Sequence, residues 1–539
     1  MTMIPNLLLF AETGLAPFDW LAIATYGVFT LCLGLHYGRQ QKTTKDFFIG
    51  DGQLRSFTVG ISLLATLIST ISYLAYPGEL IRHGPAIFFG MLSAVIVYIV
   101  TGYWLIPAIM RRRVTSAYEL LEQRTGLSGR LLAVFMFIAM RLFWMGLMLN
   151  MCAEAMVHML GLPDSAQPWI VAIAGIVAVG YTAVGGLRAV VMTDVIQFFL
   201  LMGGSVTTII LVTYHMDGFG WFPTTWAAHW DSQPLFTLNP QVRVSVVGSI
   251  VAGSIAGICI AGSDQVAIQR FMATPNVAAA RRSFLVYTLA DISVIVIHGL
   301  VGCALLGFYM AQPELIGDEG GLVKNADKLF PQFIANQLPV GICGLVVVAL
   351  FAAVMSSVDS GINAVTAVVT TDLIGRFRPV ALEERLQLRL ARWLTVVIGV
   401  MIVLLNTFVD SVPGNYVEVA QKTVNLFISP LFGLFFLALF VKNTTPRGAI
   451  AGTLFGIITA ILIAFSGPLV HELHTTLGVN PARFNVEVIT VTDPVSGETW
   501  QTCNDPISFQ WIGPVALAVN ILAGILLSQL DHCRERWKL

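Results

Sequence analysis

Apolar runs close to 20 residues long recur along almost the whole chain, separated by short stretches that contain Gly, Pro and charged residues. A helix needs about 20 mostly apolar residues to cross the hydrocarbon core of a bilayer. The pattern therefore predicts an all-α integral membrane protein with one transmembrane domain over residues 1–539. The predicted spans number thirteen, at 18–38, 55–77, 84–110, 129–160, 168–187, 188–214, 244–264, 281–310, 338–375, 388–408, 416–441, 447–466 and 510–530.

The composition agrees with a chain embedded in lipid and excludes several classes of function. The chain is 56% hydrophobic and only 11% charged, whereas a soluble domain carries about 25% charged residues. A net charge of −1 provides no basic surplus for nucleic acid as a partner. The seven cysteines show no metal-ligand spacing, and no GxxxxGK[ST] loop indicates ATP as an energy source. A channel, a secondary transporter, a membrane enzyme or a receptor remains.

The distribution of Lys and Arg predicts the orientation of the chain, because basic residues favour cytoplasmic loops. With thirteen spans and the N-terminus outside, 23 of the 30 basic residues fall in cytoplasmic segments or at the cytoplasmic ends of spans. The remaining ones are five in outer segments, Arg82, Arg243, Lys324, Lys328 and Arg483, and two deeper within spans, Arg141 and Lys422. We therefore predict a multi-pass protein of the cell membrane with a cytoplasmic C-terminus.

Several ionisable residues lie inside the predicted spans, where each costs about 2.5–3.5 kcal/mol on insertion scales and usually faces a cavity or a partner. Glu418 and Lys422 stand one helical turn apart, so either snorkelling to the membrane interface or a mutual salt bridge explains both. Four others lie deeper, namely Arg141, Asp194, Asp291 and Asp359. These four are candidates for a functional site.

The segment "AAVMSSVDSGIN" combines these polar residues with helical spacing. On a helix it forms two overlapping stripes, Ala353, Ser356, Ser357 and Ser360 on one face, and Ser356, Asp359, Ser360 and Asn363 on the next. Hydroxyls with one carboxylate suit a small monovalent cation better than Zn²⁺, which prefers His or Cys. The alternative is that the serines bond back to their own helix or hold helices together.

Six motifs in a fixed order resemble the sodium:solute symporter family, which includes the sodium/glucose, sodium/iodide, sodium/proline and bacterial sialic acid transporters. They are "KTTKDFFIGDGQL", "SLLATLIS", "VTSAYELLEQR", "GGLRAVVMTDVIQ", "GSDQVAIQRFMAT" and "AAVMSSVDSGIN". The resemblance covers about 43–441. It implies a leucine-transporter-like core of two inverted five-helix repeats, here 55–214 and 244–441, with accessory helices at 18–38, 447–466 and 510–530.

The resemblance also implies sodium as the coupling ion and assigns residues to bind it. The family's principal sodium site maps onto backbone carbonyls and two hydroxyls, those of Ala65, Ile68, Ala353, Ser356 and Ser357. A second site, found in the sialic acid branch, maps onto Asp194, Ser356, Asp359 and Ser360. Asp359 replaces a serine of that branch, so this site would hold two carboxylates. Such a pair could bind either a second Na+ or a proton, and the sequence does not decide between them.

Family substrate positions fall at Ser69, Ser72, Tyr73, Asp291 and Lys422. Arg141 lies one turn from the arginine that meets the carboxylate in the sialic acid transporter. It is either an anion contact or a structural partner of Asp291 or of a backbone carbonyl. The hydroxyls with Lys422 and Arg141 favour a sugar or an acidic sugar, while a monocarboxylate, an amino acid and an inorganic anion are alternatives.

The sequence thus predicts a Na+-coupled symporter that imports a small organic solute and functions as a monomer in the lipid bilayer. The alternatives are a channel, a membrane sensor and a membrane enzyme. A channel would pass ions without concentrating a solute. A membrane sensor is disfavoured by the short tail after the last span, and an enzyme by the lack of a His/Asp/Ser constellation or metal motif.

Overall fold

The computed structural model describes residues 16–39, 43–67, 70–111, 116–232, 234–316, 321–378, 383–405, 416–484, 486, 488–492, 499–503 and 505–536. Within these ranges, 11 helices are long and apolar enough to cross a membrane, or up to 12 if a bent pair counts as one span. Every predicted span overlaps one of these helices. The count of thirteen stays a prediction, because 168–187 and 188–214 fall in a single helix.

The long helices follow the apolar runs of the sequence. They are α1 (Pro17–Gly38), α3 (Ser56–Leu67), α4 (Thr70–His83), α7 (Glu119–Leu160), α8 (Gln167–His215), α9 (Val246–Ser263), α11 (Val277–Ala311), α14 (Ile342–Val368), α16 (Glu384–Leu405), α17 (Tyr416–Phe440), α18 (Pro446–Ala464) and α20 (Ile512–Arg536). The third predicted span is a composite of a 3₁₀ stretch, Pro85–Leu92, α5 (Ser93–Val100), a π stretch, Thr101–Leu105, and α6 (Ile106–Met110).

Short elements connect these helices. They are α2 (Thr44–Ile49), α10 (Gln265–Met272), α12 (Gly321–Lys324), α13 (Ala326–Gln337), a π stretch at Val369–Ile374, α15 (Gly375–Phe377), α19 (Ser466–Leu477) and 3₁₀ turns at Gly50–Gly52, Asp164–Ala166, Phe219–Trp221, Pro313–Ile316, Pro481–Phe484 and Phe509–Trp511. An antiparallel hairpin, β1 (Val488–Thr492) and β2 (Thr499–Cys503), is the one departure from an all-helical structure in the described part of the chain.

A glycine interrupts the longest helix. The 49 residues of α8 would extend about 74 Å if straight, at 1.5 Å per residue, which is more than twice the thickness of a hydrocarbon core. Gly186 breaks the helix with a φ of 54° and a ψ of −164°, a conformation that L side chains rarely adopt. The interruption coincides with the boundary predicted between 168–187 and 188–214.

Two further breaks lie near the middle of the bundle. The second predicted span consists of α3 and α4, which are bent by 56° relative to each other. Helices α9 and α10 are separated at Asp264, whose ψ of 122° is extended and whose side chain caps α10 by accepting from the Val266 amide at 2.9 Å. Broken helices expose backbone groups that can bind ions or solutes.

Helix α14 lies at the centre of the protein. Of its most apolar window, 83% is buried inside the protein, against 17% for α1. It packs against α7, α8 and α16. Large apolar side chains are exposed on the outer helices, as at Trp169, which is 73% exposed, and Trp393, which is 70% exposed. Such an exterior fits contact with lipid.

Candidate functional site

A cavity of about 200 Å³ lies between α4, α7, α9, α11 and α17. A volume near 10–15 Å³ holds one water molecule, so this space fits a small organic solute. Its lining consists of Leu67, Ser72, Tyr76, Met140, Arg141, Trp144, Ala256, Ile260, Asp264, Tyr287, Asp291, Ile295, Val417, Ala420, Gln421 and Val424. A second cavity of about 230 Å³ adjoins it and shares Tyr76, Tyr287, Asp291 and Gln421.

Of the five predicted substrate residues that the structure describes, three line the cavity and two do not. Ser72, Arg141 and Asp291 contribute to its wall. Tyr73 is buried, with its ring against His298 and Phe330 at centroid distances of 5.3 and 5.0 Å, and Lys422 is absent from the lining. The sixth, Ser69, lies outside the described residues.

Lys422 is bound to the segment between β2 and the 3₁₀ turn Phe509–Trp511. Its Nζ donates to Asp505 Oδ2 at 2.6 Å, and the same carboxylate accepts from the Gly467 amide at 2.7 Å. The neighbouring Gln421 lines both cavities. A mutual salt bridge is not needed to explain Glu418 and Lys422, because Glu418 accepts from Arg243 and Lys422 donates to Asp505.

Glu418 instead belongs to an ion-pair cluster at one end of the bundle. Arg243 donates to Glu79 through Nη1 and Nη2 at 2.7 and 3.1 Å, and through Nε to Glu418 at 3.0 Å. Burial acts to lower the pKa of Arg243, but the Glu79 and Glu418 carboxylates outweigh this effect and raise its pKa above the ordinary value. The cluster joins α4 to α17.

The partner of Arg141 is Asp264, which the sequence analysis did not single out. Arg141 donates through Nη2 to Asp264 Oδ2, and both side chains are nearly fully buried. Asp291 and a backbone carbonyl were the structural partners expected, so that expectation is corrected. Asp264 occupies the break between α9 and α10, which periodicity alone does not reveal. Its position in "GSDQVAIQRFMAT" was the available signal.

The structure brings together most of the residues assigned to the first sodium site. Ser357 Oγ donates to the Thr66 carbonyl at 3.2 Å, which holds the middle of α14 against the end of α3. Ala65 and Ala353 are buried beside this contact, 5% and 1% exposed. The Ser356 hydroxyl is buried without a hydrogen-bond partner among the described residues. Ile68 lies outside them.

The second predicted site contains an arginine that sequence analysis placed elsewhere. Arg270 was counted among the cytoplasmic basic residues, but its side chain is 0% exposed. Its Nη2 donates to Thr66 Oγ1 at 2.7 Å and to Ser360 Oγ, and it lies 3.6 Å from Asp194 Oδ2. A charge between two apolar runs resembles a loop residue in sequence, and only the packing of α10 against α3 and α14 reveals its burial.

Asp194 and Asp359 lie in one buried cluster with Arg270. Asp194 accepts from Ser62 Oγ, and Asp359 accepts from the Tyr181 hydroxyl. The other oxygen of each carboxylate, Oδ1, is buried with no hydrogen-bond partner in the described part of the chain. With both carboxylates ionised, the cluster of two carboxylates and one guanidinium carries one negative charge.

The available oxygens fit a cation. Ser356 Oγ, Asp194 Oδ1 and Asp359 Oδ1 are all buried polar atoms that need a partner. Oxygen ligands suit Na+ and other hard cations. No group of three or more His, Cys, Asp and Glu side chains suited to a metal ion is found among the described residues. The oxygens present here belong mainly to hydroxyls and backbone carbonyls, so a site rich in these groups is the arrangement that the residues support.

Comparison with known sequences places this chain among sodium-coupled symporters. The sequence model of the sodium:solute symporter family matches residues 47–456. The sodium/sialic acid symporter SiaT of Proteus mirabilis is 25% identical over 462 residues, covering 83% of this chain and 90% of that protein. The sodium/glucose cotransporter of Vibrio parahaemolyticus is 28% identical, covering 86% and 89%. Human sodium-coupled monocarboxylate transporter 1 is 25% identical, covering 95% and 86%.

Solved structures agree on the fold. A substrate-bound, outward-open Na+-coupled sialic acid symporter superposes with a TM-score of 0.75 at 22% identity, covering 96% of this chain and 98% of that one. Mhp1, a nucleobase-cation-symport-1 transporter, gives a TM-score of 0.50 at 12% identity, covering 89% and 92%. The leucine-transporter-like membrane fold expected from the sequence is confirmed. The chain belongs to the sodium:solute symporter family.

Proposed function

We propose that this protein imports a small polar organic solute by Na+-coupled alternating access, with the solute in the cavity beside Arg141, Asp264 and Asp291. One observation carries the proposal. The Ser357 hydroxyl of α14 holds the end of α3 at Thr66, and the next described residues of the same broken span, Leu67, Ser72 and Tyr76, line the cavity. Ion and solute would therefore act on one bent helix pair.

This shared element supplies a physical route for coupling. A cation bound by the Ala65 carbonyl and the α14 hydroxyls would fix the angle between α3 and α4. That angle sets the position of Ser72 and Tyr76 in the cavity wall. Two ligands that favour the same arrangement of one element strengthen each other's binding reciprocally.

Alternating access is supported by ion pairs at both ends of the bundle. Arg243 joins α4 to α17 through Glu79 and Glu418, as described above. At the other end, Arg130 of α7 donates to Asp372 at 2.8 Å and to Glu122 at 2.6 Å. Both clusters link helices of the two predicted repeats, so each would have to open when its side of the cavity opens.

The proposed orientation has the N-terminus outside and the C-terminus in the cytoplasm, with the protein acting as a monomer in the cell membrane. The distribution of basic residues supports the orientation. The repeat bounds 55–214 and 244–441 stay predictions.

The relatives are named for sialic acid, glucose and monocarboxylates. The sequence favoured a sugar or an acidic sugar for this chain, on its hydroxyls together with Lys422 and Arg141, and both of these basic side chains are bound to carboxylates. The argument for an anionic solute is thereby weakened.

We expect removal of Na+ to lower both the stability and the concentrative uptake of this protein. A ligand that binds only the folded state raises its melting temperature. Purified protein should therefore melt at a higher temperature in NaCl than in KCl. Ser357→Ala should weaken the Na+ response about tenfold, as expected for the loss of an ion ligand that is worth about 1.4 kcal/mol.

Ser293→Ala is the matched control, since Ser293 is exposed on α11 and bonds only to its own helix at Leu289. It should respond to Na+ like the unaltered protein. In proteoliposomes, an inward Na+ gradient should concentrate the solute above its outside level. Equal melting temperatures in NaCl and KCl, or flux that only equalises concentrations, would refute symport and favour a channel.

Lys422 offers a separate test of the cavity. Lys422→Met should lower the melting temperature, because Asp505 loses its partner, while the solute concentration for half-maximal uptake changes little. Gln421→Ala should raise that concentration about threefold to tenfold, equivalent to one hydrogen bond of about 0.5–1.5 kcal/mol. A large rise for Lys422→Met with unchanged stability would show that Lys422 contacts solute.

A further inference from the structure

The charges that line the cavity do not suit an anion. Its wall contains three charged side chains, Arg141, Asp264 and Asp291. The adjoining cavity adds no charged side chain to these, and its further polar groups are neutral, as at Ser249, Thr288 and Gln510. The joined space therefore has one cation and two carboxylates, a net charge of −1.

The single cation is already engaged. Arg141 is bonded to Asp264, and the second oxygen of Asp264 caps α10 at the Val266 amide. Arg141 also lines the cavity, and a guanidinium has five N–H groups, so those that do not meet Asp264 can still donate to a neutral oxygen of a solute. A guanidinium whose charge is balanced by a fixed carboxylate attracts an anion far less than a free one.

Asp291, in contrast, has no cationic side chain paired with it among the described residues. Among the described residues it takes part in no ion pair and no hydrogen bond, although it lies on α11 in the middle of a span and lines both cavities. A lone carboxylate at this depth is costly and usually serves a cavity or a ligand. It is the group that a cationic solute would satisfy.

Aromatic rings surround this carboxylate. Tyr76 and Tyr287 line both cavities with Asp291, and Trp144 lines the first. Tyr287 is fixed by stacking on Phe284, with centroids 5.2 Å apart, and Tyr76 packs edge to face on Phe88 at 5.8 Å. Aromatic faces attract ammonium groups through their π electrons, so rings and carboxylate favour the same kind of ligand.

We propose that the transported solute is a small cation that carries an ammonium or substituted ammonium group, with Asp291 as its counter-ion and Tyr76, Tyr287 and Trp144 around the charged nitrogen. The paired Arg141 binds a neutral oxygen of the solute through an N–H that does not meet Asp264. This inference rests on the proposed function, because it assigns a substrate class to that same cavity. It separates this protein from relatives named for sialic acid and monocarboxylates.

A set of ligands with one shape and three charges tests the proposal. Choline, 3,3-dimethylbutan-1-ol and 3,3-dimethylbutanoate are similar in size and are cationic, neutral and anionic. Choline should raise the melting temperature in NaCl at a concentration at least tenfold below that of the other two. Asp291→Asn, which keeps the shape of the side chain, should remove this preference and leave the stabilisation by NaCl alone unchanged.

A second measurement needs no knowledge of the solute. Ser72→Cys places a thiol in the cavity wall, where the rate of labelling by cationic and anionic methanethiosulfonate reagents reports the local charge. Labelling at position 72, followed by mass spectrometry, should be at least tenfold faster with the cationic reagent. The same comparison in Ser72→Cys with Asp291→Asn should show a preference reduced to a few-fold.

The outcomes distinguish failure of the cationic-solute proposal from failure of the proposed Na+-coupled symport. Stronger Na+-dependent stabilisation by 3,3-dimethylbutanoate or N-acetylneuraminate than by choline overturns the cationic solute and leaves symport intact. Equal labelling rates at Ser72→Cys show that Asp291 is neutral, as a proton-carrying group would be, and also overturn it. Absence of any Na+ effect refutes the proposed function instead.

Discussion

Arg270→Met should be the most destabilising single substitution among those considered for this protein. The guanidinium is 0% exposed and is the only cation found in contact with Asp194, Thr66 and Ser360 among the described residues. Removal of one member of a buried ion pair costs about 3–5 kcal/mol, because the remaining charge stays buried without compensation. Here Asp194 and Asp359 would both remain, so the melting temperature of the purified protein should fall strongly.

A second substitution should restore part of this loss. Arg270→Met with Asp194→Asn removes the carboxylate that lies 3.6 Å from the guanidinium, and the pair should be more stable than Arg270→Met alone. Arg282→Met is the control for loss of a positive charge, because Arg282 is exposed at the start of α11. If Arg270→Met melts like Arg282→Met, Arg270 does not balance the carboxylates.

NaCl should also protect the Arg270→Met protein more than the unaltered one. Its cluster would hold two uncompensated negative charges, and each bound Na+ would reduce them. The rise in melting temperature between KCl and NaCl should therefore be larger in the variant. This difference reports charge rather than shape, so a purely steric role of Arg270 would not produce it.

The sequence predicts the membrane helices well because they depend on local spacing, whereas the ion-binding role of the α14 stripe stays a prediction. Apolar runs decide which segments enter lipid, and the 3.6-residue period decides that Ser356 and Ser357 share a face with Ala353. The contact of Ser357 with Thr66 agrees with the expected site.

The partners of the charged residues could not be predicted, since they lie far apart in sequence. Arg141 meets Asp264 across 123 positions, and Lys422 meets Asp505 across 83. Helical spacing favoured a pair one turn apart for Lys422, but side chains choose partners by tertiary packing. Arg270 was misplaced for the same reason, because a short helix such as α10 carries no apolar run that signals its burial.

The two charged clusters differ in a way that suits two different ligands. Around Arg270, a net charge of −1 is accompanied by buried oxygens without partners, at Asp194, Asp359 and Ser356. Around Arg141, the same net charge is accompanied by aromatic rings and a cavity. Hydroxyl and carboxylate oxygens favour a bare Na+, whereas aromatic faces that line a cavity favour an organic cation. The separation would let the protein hold ion and solute at the same time.

Asp359→Asn should reduce the number of Na+ ions that drive uptake. Asp359 together with Asp194 and Arg270 leaves one negative charge, and a second Na+ at the predicted site would neutralise it. In the Asp359→Asn variant the cluster is already neutral, so the electrostatic gain from that ion is lost. The Hill coefficient for Na+ should fall from about two to about one, because a nearby unit charge in partly buried surroundings contributes several kcal/mol.

Tyr181→Phe is the matched control for this change. It removes the hydroxyl that donates to Asp359 but keeps the carboxylate, so the Hill coefficient should stay near that of the unaltered protein. The first site should be unaffected in both variants, since its ligands on α3 and α14 are intact, whereas Ser357→Ala should weaken Na+ binding there.

Two outcomes would contradict a second Na+ at Asp359. A Hill coefficient of about one for Na+ in the unaltered protein, together with faster uptake at low outside pH, would assign a proton to Asp359. An unchanged coefficient and unchanged Na+ affinity in Asp359→Asn would leave Asp359 with a structural hydrogen bond alone.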